Sequence, residues 1–458
     1  MDTASSSQPK SIPGPRGVPI VGVVSEMAKD MLGLFMKTAR DHGGIAQLKV
    51  LNKAYLLITD PKYVKYILQD NYQNYIRGAS VERARSLLGN GLPLIDGDFW
   101  LKERRLMQPA FHRQRLEGLT GIMIGMIEPF LNRWQENAQS GTPLDIHSEM
   151  IRLTLSVIVK AMFSEDITGQ LEPLANAFNV AAQFMLAQSQ SLWPVPLTIP
   201  TPRNLEYKSA VNTLNEIIFP IIHRSRDYAR SGPRDDLLGL LLAMRDEETG
   251  EGMSGQQARD EVVTIFFAGH ETTAAALTWA FYLLSQHPEV EARAREEVKT
   301  ALNGLPPTFA DLPRLAYLHR VLQETLRLYP SAYLFARQAV EDDVIDGYRI
   351  PAGNLIFISP YVTHHDPACW PDPERFDPDR FLPEQVAARP REVYYPFGEG
   401  PHLCIGNNLA MMEMQLILAR ALQKYRWELV PNHPVAIKPV VSLTPKYGMK
   451  MRVRETQE

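Results

Sequence analysis

The chain has 458 residues and only two cysteines, Cys369 and Cys404. Two thiols make no disulfide framework, and a chain this long has no need of one. A reducing, cytoplasmic compartment is therefore expected. An excess of charge is also missing. The net charge of −4 argues against a polyanionic partner such as nucleic acid. Residues 1–10 have no apolar core, so neither a signal peptide nor a membrane anchor is expected. One apolar run, residues 262–284, approaches the length of a bilayer span. His270 and Glu271 stand at its centre, where a charge is costly in lipid and usually marks function. The run predicts a long helix buried in protein. No internal repeat or second-domain linker interrupts the chain.

Residues 1–12 read as a flexible lead. Prolines and glycines at 13–19 form a stiff entry to the folded body. Residues 45–50 and 55–58 are strand-like and separated by a short break, which predicts a hairpin. From about residue 61 to 300 helical periodicity dominates, for example over 144–163, 205–230 and 235–244. Glycine and proline break this pattern at 89–97 and 192–203. Such breaks are loops that carry binding residues or move. Farther on, a helix ends at Leu328, and short strands are expected at 338–344, 348–350 and 355–359. A proline-rich meander at 366–383 then precedes the Cys404 segment and a helix from about 406 to 425. The expected fold is mainly α with smaller β-sheets (α+β), as a single domain over 13–458 with no fused reductase.

The strongest local signal is Phe397-Gly398-Glu399-Gly400-Pro401-His402-Leu403-Cys404-Ile405-Gly406. Glycines at 398 and 400 permit a tight turn with positive φ. Cys404 stands just before a helix, where free N–H groups and the positive helix end favour a thiolate. Gly406 lets a flat group approach the first turn, and Phe397 would shield the sulfur. This stretch resembles the haem-binding loop of the cytochromes P-450, Phe-x-x-Gly-x-x-x-Cys-x-Gly, at every fixed position.

The resemblance extends over nearly the whole chain. Ala268-Gly269-His270-Glu271-Thr272-Thr273 is similar to the family's oxygen-binding motif. It implies that Thr272 holds the bound oxygen species, that Glu271 relays protons to it, and that Ala268 lies against the haem. Gly269 would let the helix open locally. Glu324 and Arg327 match the family's Glu-x-x-Arg pair, with Arg375 as its structural third member. Trp100 and Arg104 match its Trp-x-x-x-Arg segment and, with Arg337, His364 and His402, would meet the haem propionates. Cys369 lies in no motif and reads as structural.

The fold implied is the cytochrome P-450 triangular prism, with haem between the long central helix and the cysteine-loop helix. Cys404 would be the axial ligand of a haem b iron. The implied activity is a monooxygenase that uses O2 and electrons from a separate ferredoxin or flavodoxin with its reductase. Lys102, Arg105 and His402 are candidate docking charges for that partner. A peroxide-dependent or non-oxygenating haem-thiolate enzyme, or a haem-based sensor, is the alternative. The pocket implied by family topology involves Leu87, Leu92, Leu94, Phe184, Trp193, Phe267, Ala332, Leu334, Phe335 and Leu443. Its apolar character implies a lipophilic substrate: a fatty acid, terpenoid, steroid or polyketide. Any single one of these side chains is equally readable as core. A monomer is the default.

Overall fold

In the computed structural model, strands β1 (Ile45–Val50) and β2 (Lys53–Ile58) pair antiparallel with Val50 opposite Lys53. The tight turn holds Leu51 at φ 55°. Strands β3 (Tyr75–Ile76), β4 (Phe335–Ala339) and β5 (Leu355–Ile358) complete a five-stranded sheet in the order β1-β2-β5-β4-β3. The β2–β5 pair is parallel and the others are antiparallel. Alternating apolar residues put Leu56, Ile58, Ile356 and Ile358 into one core with Val64, Ile67 and Tyr395.

The structure describes residues 10–163, 168–191, 195–229, 236–246 and 248–456. Most of the expected flexible lead therefore falls outside the described residues. The chain divides into two units, and the five-stranded sheet belongs to the first, Met1–Ser80, Arg327–Arg375 and Pro383–Cys404. The second comprises Val81–Leu326, Phe376–Leu382 and Ile405–Glu458.

Helices dominate the second unit. Helix α1 (Ile146–Met162) begins later than periodicity predicts, because the Asp145 side chain caps it by accepting from the His147 N–H. Residues 144–145 instead pair with Lys450 and Met451. Helix α2 (Gly255–Gln286) starts at Ser254, whose hydroxyl accepts from Gln257 N at 3.0 Å. It is the long buried helix predicted. Among the described residues no helix is long and apolar enough to cross a membrane. Helices α3 (Ala316–Leu328) and α4 (Asn407–Lys424) end within a residue of expectation. A hairpin of β6 (Ile437–Pro439) and β7 (Leu443–Pro445) follows. The strand expected at 338–344 is two strands, β4 and Asp343–Ile345.

The glycine break at 89–97 is pinned to α2. Asp260 accepts from Asn90 N at 2.9 Å and Glu261 from Leu92 N at 3.2 Å. Gln257 donates to the Asn90 carbonyl and Arg259 to the Leu87 carbonyl, each at 2.8 Å. A Cβ on Gly89 would lie 2.1 Å from an Asp260 oxygen, and one on Gly91 1.9 Å from the Thr264 hydroxyl. These glycines let the loop lie flat on the helix.

Gly400 has φ 68°, and a Cβ there would sit 2.1 Å from the Leu68 carbonyl oxygen. Gly304 has φ 79° but open space beside it. Both alanine substitutions carry the strain of positive φ, on the order of 1 kcal/mol. Gly400→Ala adds a backbone clash and should cost about 1–3 kcal/mol more. Urea unfolding of the two variants side by side checks this difference.

Candidate functional site

In the first unit, Tyr395 anchors the cysteine loop. It is buried in the sheet core, its hydroxyl lies 2.7 Å from that of Thr363, and Thr363 donates to the Thr59 carbonyl. Gly398 N donates to Tyr395 O at 3.0 Å with Gly398 at φ 77°. Leu403 N donates to Gly400 O, and Cys404 N closes the turn on Phe397 O at 2.9 Å. The result is an exposed Cys404 thiol on a backbone fixed on both sides. Cys369 differs: burial pushes its thiol up to about 11, with help from Asp366 and Asp60. It has the character of an inert, structural cysteine.

The same unit contains a fully buried arginine. Arg327 donates to the carbonyls of His364 at 2.8 Å and Arg375 at 3.2 Å, and lies over the Trp370 ring. Arg375 thus meets Arg327 through its main chain. The expectation that His364 contacts a propionate is corrected here. Its ring has no exposed surface, accepts from Tyr395 N at 3.1 Å and stacks on Tyr394. It braces the loop. Arg337 is nearly buried on β4, and His402 is half-buried with its edge against Tyr72. An open depression of about 530 Å³ borders the loop at Gln69, Arg391, Glu399 and Leu403.

In the second unit, α2 is buried over 257–266 and 273–284, apart from Tyr282, but open between them. Ala268 is exposed, and Phe267, Gly269, Glu271 and Thr272 are half-buried. A small exposed residue within a buried helix marks open space beside it. Thr272 donates its hydroxyl along its own helix to Ala268 O at 2.6 Å. Glu271 accepts from the Ser442 hydroxyl at 2.7 Å. The helix is continuous through Gly269. A Cβ there would lie 3.3 Å from Ile158, so the missing side chain admits α1. Thr154 of α1 donates to the His270 carbonyl at 3.0 Å, and burial lowers the pKa of the His270 ring.

Trp100 is buried and Arg104 half-buried on the helix Gly97–Met107. Lys102 and Arg105, expected as docking charges, pair within this unit: Lys102 with Glu251 at 2.6 Å, Arg105 with Asp246 and Glu248. Glu324, fully buried on α3, accepts from Asp377 N at 3.0 Å and lies 3.5 Å from Arg380. Arg380 was not among the residues expected there.

Of the pocket candidates, Leu87 and Leu443 have no exposed surface and are core residues. Leu92, Leu94 and Phe184 are buried, and the Phe184 ring stacks on Tyr207 at 4.3 Å. Ala332, Leu334 and Phe335 are half-buried in the first unit. Trp193 lies outside the described residues.

In the first unit, the exposed Cys404 on its fixed backbone is a donor that suits haem iron. In the second, the exposed Ala268 and the space beside Gly406, where a Cβ would meet nothing within 4 Å, each suit a flat, largely apolar group. Sequence reasoning missed Ser442, Glu103 and Glu261. Burial pushes Glu261 up to about 8, against the lowering hydrogen bond from Leu92 N. The only sequence signal for it was an acid beside an apolar helical run. Ser442 had none, because its partner is 171 positions away.

The family model described as cytochrome P450 matches residues 12–451. Cyclooctatin synthase of Streptomyces melanosporofaciens is 37% identical over 434 residues, covering 94% of this chain and 93% of that protein. Pentalenene oxygenase of Streptomyces avermitilis is 34% identical, covering 96% of each. Among solved structures, the haem domain of cytochrome P450DA matches with a TM-score of 0.90 at 29% identity, covering 98% of both chains.

Glu103 generates a pH prediction. It is buried beside Trp100 and Arg104, and one carboxylate oxygen has no hydrogen-bond partner among the described residues. Burial raises it from 4.5 to about 7. Below the unfolded value both states bind the proton and nothing is lost. As pH rises from about 4.5 to 7 the unfolded chain ionises first, so stability falls by about 2–3 kcal/mol. Glu103→Gln should flatten this decline in urea unfolding measured across that range.

Proposed function

Because this chain belongs to the cytochrome P-450 family, and is a haem-thiolate monooxygenase, we propose that it inserts one oxygen atom from O2 into a cyclic terpenoid. Two observations support that substrate class. Relatives named for cyclooctatin and pentalenene chemistry align over nearly the full chain. The half-buried candidates, Phe267, Ala332, Leu334 and Phe335, are apolar, which suits a hydrocarbon skeleton. The exposed Cys404, whose backbone N–H donates to the Phe397 carbonyl, is the observation that carries the chemistry.

We read residues 13–458 as one catalytic domain, cytoplasmic and monomeric. Cys404 would ligate the iron of haem b, with Phe397, Gly398 and Gly406 as its surround. Trp100, Arg104, Arg337 and His402 would meet the propionates, and Ala268 and Gly269 would lie over the ring. When bound, the haem supplies the redox chemistry that activates O2, tuned by the thiolate. The protein's part is to bind, orient and move protons. Thr272 gives its proton to the Ala268 carbonyl, and its oxygen can still accept from a ligand. Glu271 holds and passes the protons, and its presence favours an O2-driven enzyme over a peroxide-driven one. Electrons would come from a ferredoxin or flavodoxin with its reductase. The depression beside the cysteine loop is the surface of the first unit offered to that partner.

The reduced protein with carbon monoxide should show the strongly red-shifted Soret band of thiolate-ligated haem. Cys404→His should move it to the position of histidine-ligated haem, and a wild type already there would overturn the reading. Glu271→Gln and Thr272→Ala should each lower product formed per NADPH by roughly 100-fold or more, the scale of a lost proton-transfer group. Quantifying product, NADPH and peroxide with a ferredoxin pair checks this.

A further inference from the structure

Ser442 lies at the turn of the β6–β7 hairpin, with no exposed surface. Its hydroxyl donates to Oε1 of Glu271 at 2.7 Å. One residue on, the Leu443 carbonyl accepts from the Trp279 indole N–H at 2.7 Å. Glu271 and Trp279 are eight residues apart on α2, about 12 Å along its axis. The hairpin is therefore stapled to α2 at two points, and the Trp279 staple fixes where the Ser442 hydroxyl can be. Oε2 of Glu271 has no hydrogen bond among the described residues. The carboxylate is thus held by one oxygen and open at the other.

The titratable groups whose charge meets that of Glu271 are His147 and His270. Burial holds both rings toward the neutral form, against the opposing pull of Asp145 and Glu271 on His147 and of the Phe266 carbonyl and Glu271 on His270. Thr278 spends its proton on the Ala274 carbonyl at 2.6 Å, so the 3.3 Å contact from Nδ1 of His147 is a donation to Thr278. His147 Nδ1 is thereby occupied, and among the described residues Ser442 is the one hydrogen-bond donor on the Glu271 carboxylate.

We propose that Ser442 is a positioning residue for proton delivery: its hydroxyl holds Oε1 of Glu271 so that Oε2 takes and gives the proton. This rests on reading Glu271 as the proton relay. The family motif carries the acid but not this contact, which the hairpin brings in from far along the chain.

The test uses the holoenzyme with Ser442→Ala, Ser442→Thr, Glu271→Gln and the double variant Glu271→Gln/Ser442→Ala. In Ser442→Ala the carboxylate stretch of Glu271, followed by infrared difference spectroscopy without substrate, should move from its wild-type position as the hydrogen bond is lost. Product per NADPH should fall about three- to tenfold, the scale of one ordinary net hydrogen bond, with a matching rise in peroxide. Ser442→Thr keeps the hydroxyl and should restore both. The double variant should be no worse than Glu271→Gln alone. If Glu271→Gln uncouples turnover while Ser442→Ala changes neither the carboxylate stretch nor coupling, only this inference falls. A lowered thermal midpoint as the sole effect of Ser442→Ala also overturns it, because a purely structural tie would do that. If Glu271→Gln itself leaves coupling intact, the relay reading fails and the positioning role with it.

Discussion

A guanidinium with no exposed surface must have its donors satisfied, and in the first unit that demand falls on Arg327. It is met by main-chain carbonyls at His364 and Arg375 and by the face of Trp370. Binding carbonyls instead of flexible side chains fixes the backbone of two separate segments. His364, held through its carbonyl, presents its ring to Tyr395 N. Tyr395 is buried in the sheet core and starts the turn that ends at Cys404. The pose of the thiol therefore depends, three contacts away, on the burial of one charge. Removing that charge's partners would leave it uncompensated, which is more costly than losing an ordinary hydrogen bond.

In the second unit α2 has two kinds of surface. Near its start a run of polar residues, Gln257, Arg259, Asp260 and Glu261, grips the backbone of residues 87–92. A glycine-rich loop that sequence alone marks as mobile is thereby held against the helix. Farther along, the helix is open at Ala268 and Thr272 and carries Glu271, anchored by Ser442. Between these regions Gly269 and the His270 carbonyl face α1, where Ile158 and Thr154 meet them. The motif thus packs on one face and leaves another open, as a 3.6-residue period allows.

Much of this was legible in the chain. The Phe397–Gly406 pattern, the acid–alcohol pair Glu271-Thr272 and the helix ends near Leu328 and residue 424 depend on local spacing. Local spacing is what a sequence displays. What engages His364, Lys102, Arg105 and Gly269 was not legible, for one shared reason. Their partners, Tyr395, Glu251, Asp246 with Glu248, and Ile158, lie far away in sequence. A polar or small residue in a suggestive motif looks functional until its tertiary partner is known.

The sequence by itself determined the family and the order of elements. Turn chemistry, helix capping and hydrophobic period are written residue by residue. Only the tertiary structure decided which polar groups are free to act and which are already engaged. It placed Ser442 on Glu271, Arg380 by Glu324 and the Leu87–Leu92 backbone on α2. These choices follow from the need to satisfy every buried polar group. That need is settled by long-range packing, not by neighbours in the chain.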